Sequence, residues 1–191
     1  FLFLVFYIRQ FLGFDGLQRR IDVASLALIP ALATAAFLDL GGVLEEGGWR
    51  GFAQVELENT NWSPFKAALL IGIIWGLWHV PRDVISGVTE RYGLILYITA
   101  YLPSFLMNTV ASAFLCAFFM HRLGGSIWPA IMVHGLVNDV WGIAGAASYD
   151  QTLSISWQLS KGVPLFVIAI IAIHFWGWKN RINASGNSAT P

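Results

Sequence analysis

Charge and cysteine are what this sequence has least of. Only 12% of its 191 residues are charged, eleven basic and eleven acidic, and the net charge is zero; a soluble domain carries about 25%. No basic surplus exists to neutralise a phosphate backbone, which excludes nucleic acid as a partner, and no acidic run exists to form a solvated tail. A single cysteine, Cys116, excludes an internal disulfide and a cysteine-based metal cluster. Set in the apolar stretch from Phe114 to Phe119, it reads as a small packing residue. Neither the His-Glu-x-x-His zinc helix nor the Gly-x-Ser-x-Gly nucleophile elbow occurs, and no internal repeat is visible. No basic segment precedes the apolar opening from Phe1 to Ile8, so that opening is not a signal peptide. It is also shorter than the roughly 20 residues a spanning helix needs. The chain is therefore expected to begin partway through a helix, with sequence missing upstream.

Apolar residues fill the space that charge leaves. They make up 57% of the chain, and the mean hydropathy is +0.64. A soluble core of this length could not hide so much apolar surface, so the solvent is lipid and the fold class is all-α, a polytopic transmembrane helical bundle. Five or six runs are long enough to cross. They extend from Val23 to Leu44 (interrupted by Asp39), from Phe65 to Val80 (ending at Pro81), from Tyr92 to Met120, from Ile127 to Ala147 and from Val163 to Trp178. The third contains Pro103 and is expected as one tilted helix or as two, broken near Pro103–Ser104. Ser63 and Pro64 form a helix-start signal. Trp62, Trp128, Trp157, Trp176 and Trp178 lie near run ends, as an aromatic belt would. Residues 1–179 read as one domain and 180–191 as a disordered polar tail. Basic residues divide evenly between alternate loops, so orientation is not set.

Against this background a few polar residues stand out, because ionisable groups in a bilayer are costly and usually face a cavity or a partner. Glu45-Glu46-Gly47-Gly48-Trp49-Arg50 follows an apolar run. Adjacent carboxylates on a helix point about 100° apart, so one can face a cavity while the other meets Arg50; Glu46 and Arg50 have the i, i+4 spacing of an ion pair. The bland alternative is a solvated helix end, loosened by the two glycines. In Trp75-Gly76-Leu77-Trp78-His79 the indole of Trp75 shares a face with His79, although a lone histidine on an apolar helix is more often structural. His134 and Asn138 share a face in mid-run, and Asp139 is turned away; polar glue between helices would also explain them. Asp39 could pair with a neighbouring helix or enter the cavity. Asn108 reads as packing glue, His121 as an exposed loop residue, and His174 as lacking a polar companion.

A carboxylate, two histidines and an amide can hydrolyse a peptide bond. A glutamate with a histidine can deprotonate water, while a second histidine and an amide donate to the oxyanion. Two histidines and a glutamate are also a catalytic zinc set, and residue types alone leave both mechanisms open.

The ordered motifs Glu45-Glu46-x-x-Trp49-Arg50-Gly51, Trp75-x-x-x-His79 and His134-x-x-x-Asn138 resemble the CPBP family of CAAX proteases and bacteriocin-processing or immunity proteins, over about Leu40 to Asp139. The resemblance implies an intramembrane endopeptidase with a polar catalytic cavity, multi-pass in a prokaryotic cell membrane. It implies that Glu45 and His79 activate water, that His134 and Asn138 form the oxyanion site, and that Glu46, Arg50 and Trp75 support them. No cofactor is required on the glutamate mechanism; on the alternative, zinc would sit on Glu45, His79 and His134. The expected partners are the lipid bilayer and a peptide or lipidated protein substrate. Two departures are Trp75, where the family commonly has Phe, and fewer helices than the family's usual eight. A non-enzymatic immunity or scaffold protein is the alternative function, and a transporter a weaker one.

Overall fold

Helix follows helix along the chain, and no strand occurs among the described residues. The computed structural model describes residues 28–143 and 149–186. The order is α1 (Leu28–Leu38), α2 (Leu40–Gly48), a π-helical turn (Trp49–Gln54), α3 (Val55–Asn59), α4 (Pro64–Trp78), α5 (Val80–Ile85), α6 (Val88–Leu96), a second π-helical turn (Tyr97–Tyr101), α7 (Leu102–Arg122), α8 (Trp128–Ile143), α9 (Tyr149–Thr152) and α10 (Ile155–Gly186). Three stretches of the described residues are long and apolar enough to cross a membrane: Pro64–Ile85, Val88–Arg122 and Ile155–Phe175. This is the all-α membrane bundle expected. Helix α7 is its centre, packed against α4, α8 and α10. Leu69, Ile73 and Leu77 on α4, and Val163, Val167 and Ile170 on α10, stay exposed, an arrangement suited to hydrocarbon rather than water.

The helix breaks have local causes. Asp39 is extended and its carboxylate accepts the Gly42 N–H at 2.9 Å, an N-cap that ends α1 and starts α2. Ser63 caps α4 and Pro64 takes its first turn, as expected. The long third run breaks earlier than expected. Gly93, at φ 69° and ψ 161°, supplies the kink, a conformation closed to residues with a Cβ. Pro103 instead lies within the first turn of α7, where a missing N–H costs little.

Small residues set the interhelical distances. A Cβ on Gly72 would stand 2.7 Å from the Cα of Val110, and one on Gly76 would stand 2.7 Å from Thr109 Oγ1, so α4 lies almost backbone to backbone on α7, the small-residue mode of membrane helix packing. Gly135 does the same for α8 against α1: a Cβ there would overlap the Ala35 carbonyl oxygen and stand 2.9 Å from the Asp39 Cβ.

Several expectations are corrected. Trp157 is buried rather than in a belt, whereas Trp62 and Trp128 are exposed; the side chains of Trp176 and Trp178 lie outside the described residues. His121 is in the last turn of α7, not a loop, and its Nε2 meets Glu58 Oε1 at 2.9 Å, because α3 folds back over that end of the bundle. The last helix begins at Ile155, well before Val163, and runs to Gly186. Residues 180–186 of the expected tail therefore carry helical backbone, since extending a formed helix is far easier than nucleating one; 187–191 lie outside the described residues.

Gly135→Ala and Gly72→Ala should each lower stability by about 1–3 kcal/mol through overpacking. Gly47→Ala, where a Cβ meets nothing within 4 Å, should be neutral or stabilising by roughly 0.5–1 kcal/mol. Thermal unfolding in detergent, followed by tryptophan fluorescence, separates the two classes.

Candidate functional site

The three polar motifs meet around one indole, that of Trp75. The π-helical turn after Gly47-Gly48 widens the helix, and Glu46, Arg50 and Gln54, at every fourth position, all point inward with 0% exposure; in an ordinary α-helix that spacing drifts by about 40° each step. Arg50 Nη1 donates to Glu46 Oε1 at 3.0 Å, the ion pair the spacing called for. The same oxygen engages His134 Nδ1 at 2.7 Å, which ties α2 to α8. Glu45 is turned the other way, and its Oε2 accepts the Trp75 indole N–H at 2.7 Å. The Arg50 guanidinium lies 5.3 Å from the centre of the Trp75 ring, and the His134 ring is 4.8 Å from it.

His79 is positioned by Pro81. A proline cannot donate to the carbonyl four residues back, and its ring crowds that carbonyl, so α4 ends at Trp78 and His79 takes φ −83° and ψ −7°, in the bridge region. Its backbone N–H then reaches Gly76 O at 3.1 Å. The Trp75 carbonyl, left without its usual backbone donor, instead meets His79 Nδ1 at 2.8 Å. A carbonyl only accepts, so Nδ1 carries the proton and Nε2 is the nitrogen left for chemistry. Trp75 thus holds Glu45 by its indole and His79 by its carbonyl.

Asn138 departs from the convergence expected with His134. Its Nδ2 donates to Asp39 Oδ2 at 3.0 Å, so the two residues of this motif are held by different carboxylates at the α1–α2 junction. Asp39 therefore does pair with a neighbouring helix. Asn108 is glue, as expected: its Nδ2 donates to Ser104 O and to the Gln158 backbone carbonyl, at 3.0 and 2.9 Å, joining α7 to α10. Cys116 is buried against Ala130.

Two recesses open at this cluster, one walled in part by Trp75 and the other reached through Glu45. One, a cavity of about 310 Å³, has Trp75, His79, Asn138, Arg82, Gln158 and Lys161 in its wall. The other, about 630 Å³, is an apolar groove formed by Leu44, Trp49, Phe52 and Trp78, with Glu45 at its edge. Arg82, Gln158 and Lys161 were not singled out in the sequence. Arg82 directly follows Pro81, and Lys161 precedes the last hydrophobic run, so both resembled solvated run ends; the polar i, i+3 pair Gln158 and Lys161 was the available signal. Among the described residues no three of His, Cys, Asp and Glu gather into a set that could hold a metal ion.

Residues 26–140 match the family described as Type II CAAX prenyl endopeptidase Rce1-like. A 42-residue stretch is 50% identical to "CAAX prenyl protease 2" of the archaeon Methanococcus maripaludis, covering 22% of this chain and 15% of that protein. No solved structure matches.

Removing one partner of a buried pair leaves the other charge uncompensated. Glu46→Ala, which strands Arg50, should destabilise the protein by about 3–5 kcal/mol, whereas Asp150→Ala at the exposed Arg91 contact should cost under about 1 kcal/mol. Thermal denaturation of the two variants in detergent checks the contrast.

Proposed function

Since the chain belongs to the Rce1-like type II CAAX prenyl endopeptidase family, we propose that it is an intramembrane endopeptidase acting on a lipid-bearing peptide. The observation that carries this reading is Trp75 holding Glu45 on one side and His79 on the other, at the seam between an apolar groove and a polar cavity. The groove suits a hydrocarbon chain and the cavity a peptide, so the scissile bond of a lipidated peptide would lie at the seam.

In this reading Glu45 is the general base. Its Oε2 stays on the Trp75 indole N–H, and its Oε1 takes the proton of a water molecule as the water oxygen attacks the carbonyl carbon. His79, with Nδ1–H fixed on Trp75 O, offers Nε2 to the same water. His134 turns Nε2 away from Glu46 and in its protonated form donates there to the oxyanion; Asn138 donates its second amide hydrogen, the first being on Asp39. Glu46 and Arg50 position His134, and Trp75 positions the rest. Protonated Glu45 then returns its proton to the leaving amine, which breaks the C–N bond and regenerates the carboxylate. The zinc alternative would take Glu45 and the Nε2 atoms of His79 and His134, whose Nδ1 atoms are held by Trp75 O and Glu46, but it requires the three to be drawn together, because among the described residues they do not gather into a metal-holding set.

Detergent-purified protein should cleave a fluorogenic prenylated C-terminal peptide. Glu45→Gln and His79→Ala should each reduce kcat by about 10²–10⁴-fold, and Asn138→Ala by about 10²–10³-fold, with the fold retained by circular dichroism. Activity that survives a strong chelator supports the glutamate mechanism, whereas activity lost to chelator and restored by zinc assigns the metal one. Full activity in Glu45→Gln and His79→Ala removes these residues from the chemistry. A wild type that cleaves no peptide, yet has an effect in cells that Glu45→Gln keeps, returns the non-enzymatic reading.

A further inference from the structure

The Glu46–Arg50 ion pair is one-sided. A guanidinium and a carboxylate often pair as two forks, joined by parallel hydrogen bonds. Here a single bond joins them, from Arg50 Nη1 to Glu46 Oε1, and that oxygen also takes His134 Nδ1. Glu46 Oε2, Arg50 Nε and Arg50 Nη2 are buried with no hydrogen-bond partner among the described residues. Leaving a buried charged group short of a hydrogen bond costs more than leaving a neutral one short, so these atoms call for a ligand.

Gln54, the next inward residue of the same stripe, supplies a counterpart. Its Nε2 donates to Glu58 and, at 3.2 Å, to Pro64 O, so both amide hydrogens are spent. The amide cannot turn over, since that would set its oxygen against two acceptors. Oε1 is thereby fixed, buried and without a partner among the described residues. Along the stripe, two acceptors, Glu46 Oε2 and Gln54 Oε1, bracket an arginine edge with unused donors. Water matches that set. It accepts from Arg50 and donates one hydrogen to each oxygen, the about three bonds usual for a buried water. The helix beside the pair carries short side chains: Cys116 of α7 feels the charges of both Glu46 and Arg50, and it, Ala113 and Ala117 all have 0% exposure. Such a wall suits a ligand as small as water.

We propose that Glu46, Arg50 and Gln54 hold an internal water molecule, and that Gln54 acts through it as a positioning residue for His134. With its second edge on water, Arg50 takes one bond from Glu46 and leaves room on Oε1 for the histidine. Without Gln54, the guanidinium turns to pair with both oxygens of Glu46 and competes with His134 for the carboxylate, and the ring loses the contact that aims Nε2. The water site stands apart from the endopeptidase reading; its effect on turnover rests on that reading.

The first test needs no substrate. Protein with isotopically labelled arginine and histidine side chains is observed in detergent by NMR, the Arg50 and His134 signals being assigned by their loss in Arg50→Lys and His134→Ala. Arg50 Nε–H should show a cross-peak to water of the sign that marks a long-lived bound molecule rather than passing solvent. Gln54→Leu, close in volume and without an oxygen, should abolish that cross-peak and move the low-field Nδ1–H signal of His134 upfield, as its bond to Glu46 weakens. Circular dichroism checks that the variant folds, and Gln54→Met takes its place if it does not. A wild type without the cross-peak overturns the proposal, as does a cross-peak or a His134 signal that Gln54→Leu leaves unchanged. Turnover of a fluorogenic prenylated peptide is scored separately. Gln54→Leu should lower kcat by about 10–100-fold, the range for residues that orient an active group from behind, with KM unchanged. In Arg50→Lys protein, whose ammonium has no second edge to offer, Gln54→Leu should have almost no further effect on kcat, because both changes act on one interaction. Losses that multiply, or a loss confined to KM, overturn the positioning role. Spectra as expected from a wild type that cleaves no peptide sink the endopeptidase reading and leave the water site standing.

Discussion

A carboxylate with no access to solvent must be paired, and in this protein that requirement organises the site. Glu46 is fully buried and takes both Arg50 and His134 on a single oxygen. Breaking either contact would leave a charge or a polar ring stranded in a low-dielectric interior. The interaction therefore locks α2 to α8, sets the direction of the π-helical turn that delivers Arg50, and turns the His134 ring so that only Nε2 remains available. Gly135, next to His134, is the steric condition for it, because only a residue without a Cβ lets α8 approach the Ala35 carbonyl so closely.

Trp75 extends this order to the second helix pair. Its ring lies against Arg50 and His134, its N–H holds Glu45, and its carbonyl holds His79. The last contact exists because Pro81 cannot continue the helix: one lost backbone hydrogen bond becomes the side-chain bond that selects a histidine tautomer. Glycines 72 and 76 bring this arrangement down onto α7, so that Phe105 of α7 closes the far side of His79. Phe is common where Trp75 stands in the resembled family. Trp keeps the aromatic face and adds an indole donor, which here engages Glu45.

Polarity is distributed unequally around this hub. The groove beyond Glu45 is apolar, and the cavity beyond His79 is cationic and rich in amides. The network of Asp83, Arg82 and Tyr97 belongs to the same design, since it anchors a cation beside the cavity without letting a carboxylate into its wall.

The sequence by itself determined the solvent and the class of fold, and it singled out the candidate residues for chemistry. Scarce charge and long apolar runs admit only helices in lipid, and isolated Glu, His and Asn residues in such runs are too costly to be incidental. The Glu46–Arg50 pair and the Ser63–Pro64 start were legible because each depends on residues within one helical turn, whereas the run from Val23 to Leu44 was read as one and is divided by the Asp39 cap. What only the tertiary structure decided depends on residues far apart in the chain. His134 meets Glu46 and Asn138 meets Asp39 across whole helices, so nothing in their own segments could separate the two partners. Trp157 and Lys161 looked like run-end residues and became cavity walls, because α10 begins at Ile155 and packs its first turns against α7. Local spacing records what a helix offers, but which of its groups is buried, paired or left open is set by the helices that happen to cover it.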